Sequence, residues 1–259
     1  MQAIFAYNIR RTNSLGNVSS VKDGESENLI SAIGQVKSPF KEKFAIPRQP
    51  NLTPSVISEV VVPLPFGTAE AFEGIEEFSH IWLLFRFHHN LQQGWKPQVR
   101  PPRLGGNQKK GVFATRSSFR PNGFGISVVP LVNVATTAQE VRLQVSGLDL
   151  ADGTPIYDIK PYIAYVDAIP NAHSGFAPDA PQLMAVHFTT EALCKLKALS
   201  SDHKTIEVQV KEVLAQDPRP AYRKQAKQDA HQYGTSFDDF NFRWQVIDNK
   251  IEVFEVNKA

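Results

Sequence analysis

The chain has 259 residues, a single cysteine and a formal net charge of +2, long enough for one generous domain or for a main domain with a smaller companion. The lone Cys194 excludes an intrachain disulfide framework; within a helical stretch it reads as a buried small hydrophobe, and a reducing, cytoplasmic setting is the expectation. No window nears the roughly 18 consecutive apolar residues of a membrane-spanning helix, and the first residues lack the basic-then-apolar order of an export signal, so neither membrane insertion nor secretion is expected.

Residues 1–28 are polar, rich in Ser and Asn, and break at Asp23-Gly24, which marks an extension outside the core. From there the runs are short and β-branched with Pro or Gly between them, and they predict strands over 30–37, 56–62, 80–87, 111–115, 126–134, 141–146 and 156–160. One helix interrupts, predicted over 68–77: Thr68 can cap its first turn, and Ala71, Phe72, Ile75 and Phe78 fall at helical spacing. Strands without alternating helices argue against a doubly wound sheet and for a barrel or sandwich of about 140 residues, with closure into a barrel the natural solution. After Tyr165, Pro170, Pro178 and Pro181 mark a linker. Beyond it come a strand at 183–188, a helix at 190–199, an amphipathic stretch at 206–214, and two alternating runs, 242–247 and 251–256, joined as a hairpin by Asp248-Asn249-Lys250. The expected organisation is an extension at 1–28, a mainly β barrel at 29–168 and a smaller α+β domain at 169–259.

The small net charge conceals a segregation. Residues 78–139 contain no Asp or Glu, but they hold Arg86, Lys96, Arg100, Arg103, Lys109, Lys110, Arg116 and Arg120. Interleaved with Trp95, Phe113, Phe119 and Phe124, that one-sign stretch suits a polyanion whose bases can also stack, as RNA does; the alternative is a solvated basic face with no partner. Familiar nucleotide signatures fail. The P-loop string is absent, and Gly123-Phe124-Gly125 leads into a strand-like run containing Pro130 where a dinucleotide turn would open a helix. His88 and His89 are adjacent at a strand end and point to opposite faces, with no Cys or carboxylate near them at ligand spacing, so no metal is expected.

Four loops carry the chemistry. Arg100-Pro101-Pro102-Arg103-Leu104-Gly105-Gly106-Asn107 sets two guanidinium groups on a proline-stiffened arm followed by glycines that permit close backbone approach, which suits phosphate or carboxylate. The turn Ala114-Thr115-Arg116-Ser117-Ser118-Phe119-Arg120-Pro121-Asn122-Gly123 adds two arginines, hydroxyl groups and a ring, where the alternative is a stiff surface turn. Asp149 and Asp152, three apart in a tight loop, could accept from a ribose diol or an amino group, although Asp152-Gly153 also serves a plain β-turn. Gln216-Asp217-Pro218-Arg219-Pro220-Ala221-Tyr222-Arg223 presents an acid, arginines and a tyrosine rigidly, or is simply a proline stop with snorkelling arginines.

Together with Ile33-Gly34, Ser38-Pro39-Phe40, Pro47-Arg48-Gln49, His80-Ile81-Trp82 and the blocks at 148–162 and 239–244, these strings resemble the TsaA-like family, TrmO type, from about residue 29 to the C-terminus. The resemblance implies a single-sheet β-barrel that binds S-adenosylmethionine, a homodimer whose interface helps form the site, and a smaller C-terminal domain that assists tRNA. It also implies N6-methylation of threonylcarbamoyladenosine at position 37. Carried over, the methyl-donor site falls on Pro47, Arg48, Gln49, His88, His89, Arg116, Ile126, Ser127, Asp149, Leu150, Ala151 and Asp152. One departure stands out: the family's Asn-Pro-Ile-Gly is Asn122-Gly123-Phe124-Gly125 here, which loosens that turn.

Methyl transfer is an in-line displacement, so orientation rather than a covalent nucleophile is the demand on the protein. The acceptor nitrogen must shed a proton, which Asp217 or Tyr222 is expected to assist, while Arg219 or Arg120 holds the threonyl carboxylate and Arg100 and Arg103 grip the substrate. A non-catalytic RNA-binding module would use the same basic loops without a methyl donor; a scaffold protein would show no salt-dependent RNA affinity.

Overall fold

The computed structural model describes residues 30–224 and 229–259, so the expected extension at 1–28 lies outside the described residues. Eight strands come first: β1 (Gly34–Lys37), β2 (Ile57–Pro63), β3 (His80–Arg86), β4 (Gln98–Val99), β5 (Lys110–Gly111), β6 (Phe124–Thr136), β7 (Glu140–Ser146) and β8 (Pro155–Pro161). Six of them close a barrel in the order β1-β2-β7-β6-β3-β8, every neighbouring pair antiparallel. Alternation drives the closure: Ile81, Leu83 and Phe85 of β3 and Val141, Leu143 and Val145 of β7 turn inward and are buried, while their neighbours along each strand, Ser146 apart, are only partly buried.

The C-terminal part follows α1 (Ala164–Asp167) with β9 (Val186–Phe188), α2 (Thr190–Leu199), α3 (His203–Ala215), β10 (Asp229–Phe237), β11 (Phe240–Ile247) and β12 (Lys250–Lys258). Its sheet runs β10-β11-β12-β9, with β9 parallel to β12. The two helices bury Ala192, Leu196, Val210 and Leu214 against a core around Trp244, whose indole N–H donates to Thr235 Oγ1 at 2.9 Å. Thr189 caps α2 by accepting from Ala192 N at 3.2 Å. Asp248 and Asn249 both take positive φ, 49° and 59°, the two-residue turn that matches the twist of an antiparallel hairpin.

Several expectations are corrected. The helix predicted over 68–77 is two short 3-10 turns, Glu70–Phe72 and Ile75–Glu77, because Gly74 at φ 82° breaks the run between them; Thr68 Oγ1 still accepts from Ala71 N at 3.3 Å. The strand predicted over 111–115 becomes the end of β5 and a 3-10 turn at Val112–Ala114, tightened where the Thr115 hydroxyl donates to Val112 O at 2.9 Å. Cys194 is exposed: Ala192 and Leu196, four apart, take the core face of α2, and Cys194 between them looks outward. Strand β10 was not predicted, its polar sequence concealing the pattern. Among the described residues no helix is long and apolar enough to cross a membrane.

The segment 38–56 connects the two cores. It leaves the barrel after β1 and re-enters at β2, yet Phe40, Ala45 and Val56 belong to the C-terminal core, and Phe44 stacks on Tyr233 and Trp244 with ring centroids 6.4 Å away from each.

Candidate functional site

Strand pairing decides which loops meet. Ile57 of β2 lies opposite Ser146 of β7, Phe124 of β6 opposite Arg86 of β3, and Ile156 of β8 opposite Phe85 of β3. The connections 38–56, 87–123 and 147–154 therefore all leave from one end of the barrel, and these loops hold the donor-site residues expected from the sequence apart from Ile126 and Ser127, which lie near the start of β6.

Side chains from the three loops interlock there. Arg116 Nη1 donates to Gln49 Oε1 at 2.5 Å, and the Ser127 hydroxyl donates to Asp149 Oδ1 at 2.8 Å. Asp152 Oδ1 accepts from Ser38 N at 2.9 Å while its Oδ2 meets Lys41 Nζ at 3.1 Å. The rings of His88 and His89 lie 3.9 Å apart at 35°. Lys43 donates to His89 O at 3.2 Å and to Asn90 Oδ1 at 2.5 Å, and Asn90 donates to the Ser118 hydroxyl. Lys41, Lys43 and Asn90 escaped the sequence reading, whereas Ser118 was among the hydroxyl groups of the 114–123 turn; for the two lysines the alternating Lys-x-Lys ahead of Pro47 was the available signal.

Two titrating groups are displaced by this packing. Burial pushes Asp149 up to about 6, against the opposing hydrogen bonds from Ser127 and its own backbone and the charge of Arg116. Burial, with the nearby charges of His89 and Lys43, lowers the His88 pKa from its ordinary value, with Asp152 opposing, which favours the neutral ring. Because the folded state holds the Asp149 proton more tightly than the unfolded chain does, the contribution of Asp149 to stability falls as pH rises from about 4 to about 6.

The remaining expected residues divide by exposure. Ser127, Leu150 and Ala151 are buried, the last two by their side chains in or beside the barrel interior, and Ala151 O accepts from the Thr154 hydroxyl at 2.7 Å and from Thr154 N at 3.2 Å. The Asp152-Gly153 turn is thus a plain β-turn that also bears a site carboxylate. Ile126 is 56 % exposed on the barrel wall. Arg100, Arg103, Lys109 and Lys110 ride on or beside the β4–β5 ribbon outside the barrel, and Arg103 donates to Asp179 O. Arg120 turns back on its own loop, donating to Thr115 O at 2.7 Å and Val112 O at 3.3 Å, with the 73 % exposed Phe113 ring 5.6 Å from its guanidinium.

Gly123, standing where the resemblance leads one to expect proline, takes φ 65°, a backbone angle no proline reaches. Its N–H closes a turn on Arg120 O at 3.1 Å and its carbonyl accepts from Phe87 N at 2.8 Å, which ties the arginine loop to the histidine pair.

Asp217, Arg219 and Tyr222 occupy different surroundings. Arg219 is 1 % exposed; its Nε and Nη2 grip Asp217 Oδ1 and Oδ2 at 2.8 and 3.1 Å, and Lys224 Nζ stands 3.5 Å from Oδ2. Partial burial lowers the pKa of Arg48, and the Asp217 carboxylate opposes that, so this cluster also reaches the 47–49 loop. Tyr222 is 77 % exposed beside the ribbon: a Cβ added at Gly106 would stand 3.9 Å from the Ala221 methyl. Among the described residues no three His, Cys, Asp or Glu side chains are placed to hold a metal ion.

The chain is a closed six-stranded antiparallel barrel protein with guanidinium, carboxylate and imidazole side chains gathered at one end. The comparisons narrow the class. Residues 35–168 match the tRNA-methyltransferase O N-terminal domain and residues 181–259 the TrmO C-terminal domain. The tRNA (adenine(37)-N6)-methyltransferase of Escherichia coli (strain K12) is 48 % identical over 223 residues, 86 % of this chain and 94 % of that protein. A putative S-adenosylmethionine-dependent methyltransferase, RcsF, from Pseudomonas aeruginosa PAO1 is 44 % identical over 220 residues, 83 % of this chain and 91 % of that protein. The crystal structure of TrmO from Pseudomonas aeruginosa superposes with a TM-score of 0.74 at 37 % identity, covering 90 % of this chain and 99 % of that one. The chain belongs to the TrmO family.

Proposed function

We propose that the chain is an S-adenosylmethionine-dependent methyltransferase acting on N6 of adenine 37 of tRNA, and that the adenine it methylates already carries a threonylcarbamoyl group on that nitrogen. The observation that carries the reading is the convergence of the Gln49–Arg116 and Ser127–Asp149 pairs with the close pair of His88 and His89 rings at one end of the barrel. The donor set fits the ligand: a guanidinium suits its carboxylate, Asp149 and Asp152 suit its ammonium and ribose hydroxyls, and the paired imidazole rings suit its adenine. When bound, the donor supplies an electrophilic methyl group on a sulfonium sulfur.

The chain's own work is orientation and proton removal. Pro47, Arg48, Gln49, His88, His89, Arg116, Ser127, Asp149 and Asp152 would hold the donor, with Leu150 and Ala151 contributing backbone, since their side chains are buried. Ile126, exposed on the barrel wall, suits a contact completed by a second copy, and we read the molecule as a cytoplasmic homodimer. Arg100 and Arg103 on the ribbon would grip tRNA phosphates. Of the two groups expected to meet the acceptor proton, Tyr222 reaches solvent, whereas both Asp217 oxygens are engaged by Arg219 and Lys224. We therefore assign proton transfer to Tyr222 and the holding of its loop to Asp217 and the buried Arg219, which leaves Arg120 for the threonyl carboxylate.

The test is methyl incorporation into tRNA with and without threonylcarbamoyl at adenine 37. Transfer to the modified tRNA alone supports the full reading, equal transfer to both removes the threonylcarbamoyl requirement, and binding without transfer to either returns the RNA-binding module. In single-turnover experiments with saturating tRNA, Tyr222→Phe is expected to slow transfer at least about tenfold with donor affinity unchanged; a normal rate would remove Tyr222 from the chemistry. Donor affinity should also climb with pH through about 6 and level off above it, falling by about tenfold per unit below that point. Calorimetric titrations from pH 5 to 8 give the profile, and Asp149→Asn should flatten it; a flat profile for the unsubstituted protein would mean Asp149 does not meet the donor in its charged form.

A further inference from the structure

The 38–56 segment, which carries Pro47, Arg48 and Gln49 at its middle, is clasped at both ends by the C-terminal domain. At its start, Asp238 N donates to Pro39 O at 2.8 Å, Ser236 N donates to Glu42 Oε1 at 3.0 Å, and the Phe40 ring meets Phe237 edge-on with centroids 5.8 Å apart. At its end, three polar side chains from α3 and its C-terminus grip the backbone. Gln209 Nε2 donates to Ser55 O at 2.9 Å, Glu212 Oε2 accepts from both Ser55 N at 2.9 Å and the Ser55 hydroxyl at 2.7 Å, and Gln216 Nε2 donates to Leu52 O at 3.2 Å. Positions 209, 212 and 216 share one helical face, a polar stripe that in sequence looks like ordinary solvated surface.

The barrel holds the same stretch from its other side. Asn51 N donates to Gly147 O at 2.8 Å, Asn51 Nδ2 to Val128 O at 3.2 Å, and the Ser146 hydroxyl to Pro54 O at 2.7 Å. That fit needs Gly147, at φ 61°, because a Cβ there would come within 3.0 Å of Asn51 Cα. Residues 51–55 are thus wedged between barrel and helix, and Gln49, two residues upstream, receives the bond from Arg116.

We propose that the C-terminal domain sets the geometry of the methyl-donor loop, and that Glu212 on α3 is a positioning residue for donor binding. The inference rests on the reading that Gln49 and its neighbours hold S-adenosylmethionine. The Glu212 carboxylate takes the two donors of Ser55 and so fixes where the chain turns back toward the barrel. Without it, the end of the segment keeps only the Gln209 and Gln216 contacts to the helix, and the binding conformation of the 47–49 loop becomes one of several, which lowers apparent affinity by the fraction lost.

Calorimetric titration of S-adenosylmethionine into the full chain tests this with four proteins: Glu212→Ala, Glu212→Gln, Gln49→Ala and the Glu212→Ala/Gln49→Ala double variant. Glu212→Ala is expected to weaken donor binding about tenfold. Glu212→Gln, which keeps an acceptor for Ser55 N and can pair with its hydroxyl, should restore affinity to within about twofold. The double variant should lose less than the product of the two single losses, because a loop already released gains nothing further from its Gln49 contact. A merely structural role for Glu212 would lower the unfolding midpoint without that rescue and coupling. If Gln49→Ala weakens binding and Glu212→Ala does not, the positioning role is overturned and the donor site stands; if neither variant changes affinity, the donor-site reading falls and the positioning role falls with it.

Discussion

Replacing Arg116 by alanine is expected to abolish measurable S-adenosylmethionine binding at ordinary titration concentrations, a loss on the order of a hundredfold or about 2–3 kcal/mol, as for a charge-assisted contact to a carboxylate. Arg116 is exposed and donates to the Gln49 side chain, so its removal should shift stability by no more than about 0.5 kcal/mol. Lost binding could not then be ascribed to unfolding. The same guanidinium is the one positive charge opposing the upward push on Asp149, so the variant also moves that carboxyl further toward its neutral form at pH 7. Arg116→Lys should recover part of the loss, since an ammonium keeps the charge but not the planar fork that can serve Gln49 and a ligand carboxylate together. Calorimetric titration beside a thermal melt decides the matter. Affinity within twofold of the unsubstituted protein would remove Arg116 from the donor site and leave the Gln49 contact as a loop-to-loop tie.

What was legible in the sequence follows from the physics of each element. Barrel strands with one face inward announce themselves by alternation, and β3, β6, β7 and β8 were all predicted within a few residues of their observed bounds. The 68–77 run failed because hydrophobic spacing was weighed and Gly74 was not: a residue at φ 82° ends a turn whatever its neighbours prefer. In the candidate site, Asp149, Asp152 and Arg116 stood out as charges in loops, and the family resemblance supplied Pro47-Arg48-Gln49 and Ile126-Ser127; the histidine pair was noticed but expected to point to opposite faces of a strand end, whereas it opens a 3-10 turn that brings its rings within 3.9 Å of each other. What composition could not supply was partnership. Nothing in the string Asp217-Pro218-Arg219 says that the arginine folds back on the acid two residues earlier, since that geometry depends on Asp217 taking φ 49°. Nor does it say that Arg48, far away in the chain, feels the same carboxylate. Gln209, Glu212 and Gln216 were invisible for a related reason: a polar helical face reads as solvated until the backbone it grips is known.

The buried pair gives the second large effect. Arg219→Ala should destabilise the chain by about 3–5 kcal/mol, because it strips the bidentate partner from a carboxylate whose residue is only 8 % exposed and leaves it with Lys224 and the more distant Arg48. Arg219→Lys should recover little of this, since one ammonium cannot span both carboxylate oxygens and also reach Met184 Sδ and Arg223 O as the guanidinium does. Asp217→Ala should cost a similar amount for the converse reason, a guanidinium that is 1 % exposed and has lost its bidentate carboxylate. The double variant should cost clearly less than the sum, since removing both charges removes the desolvation penalty along with the attraction. Urea unfolding followed by tryptophan fluorescence measures all four, Trp244 lying in the core of the same domain. A change under about 1 kcal/mol for Arg219→Ala would mean that its guanidinium is readily released from Asp217, and would return it to the tRNA-contacting role first expected of it. A large loss with the predicted coupling instead makes the Asp217–Arg219 pair the rigid base on which Tyr222 is presented, so that a loop reading as a display of catalytic groups exposes one of them and spends the others on holding it still.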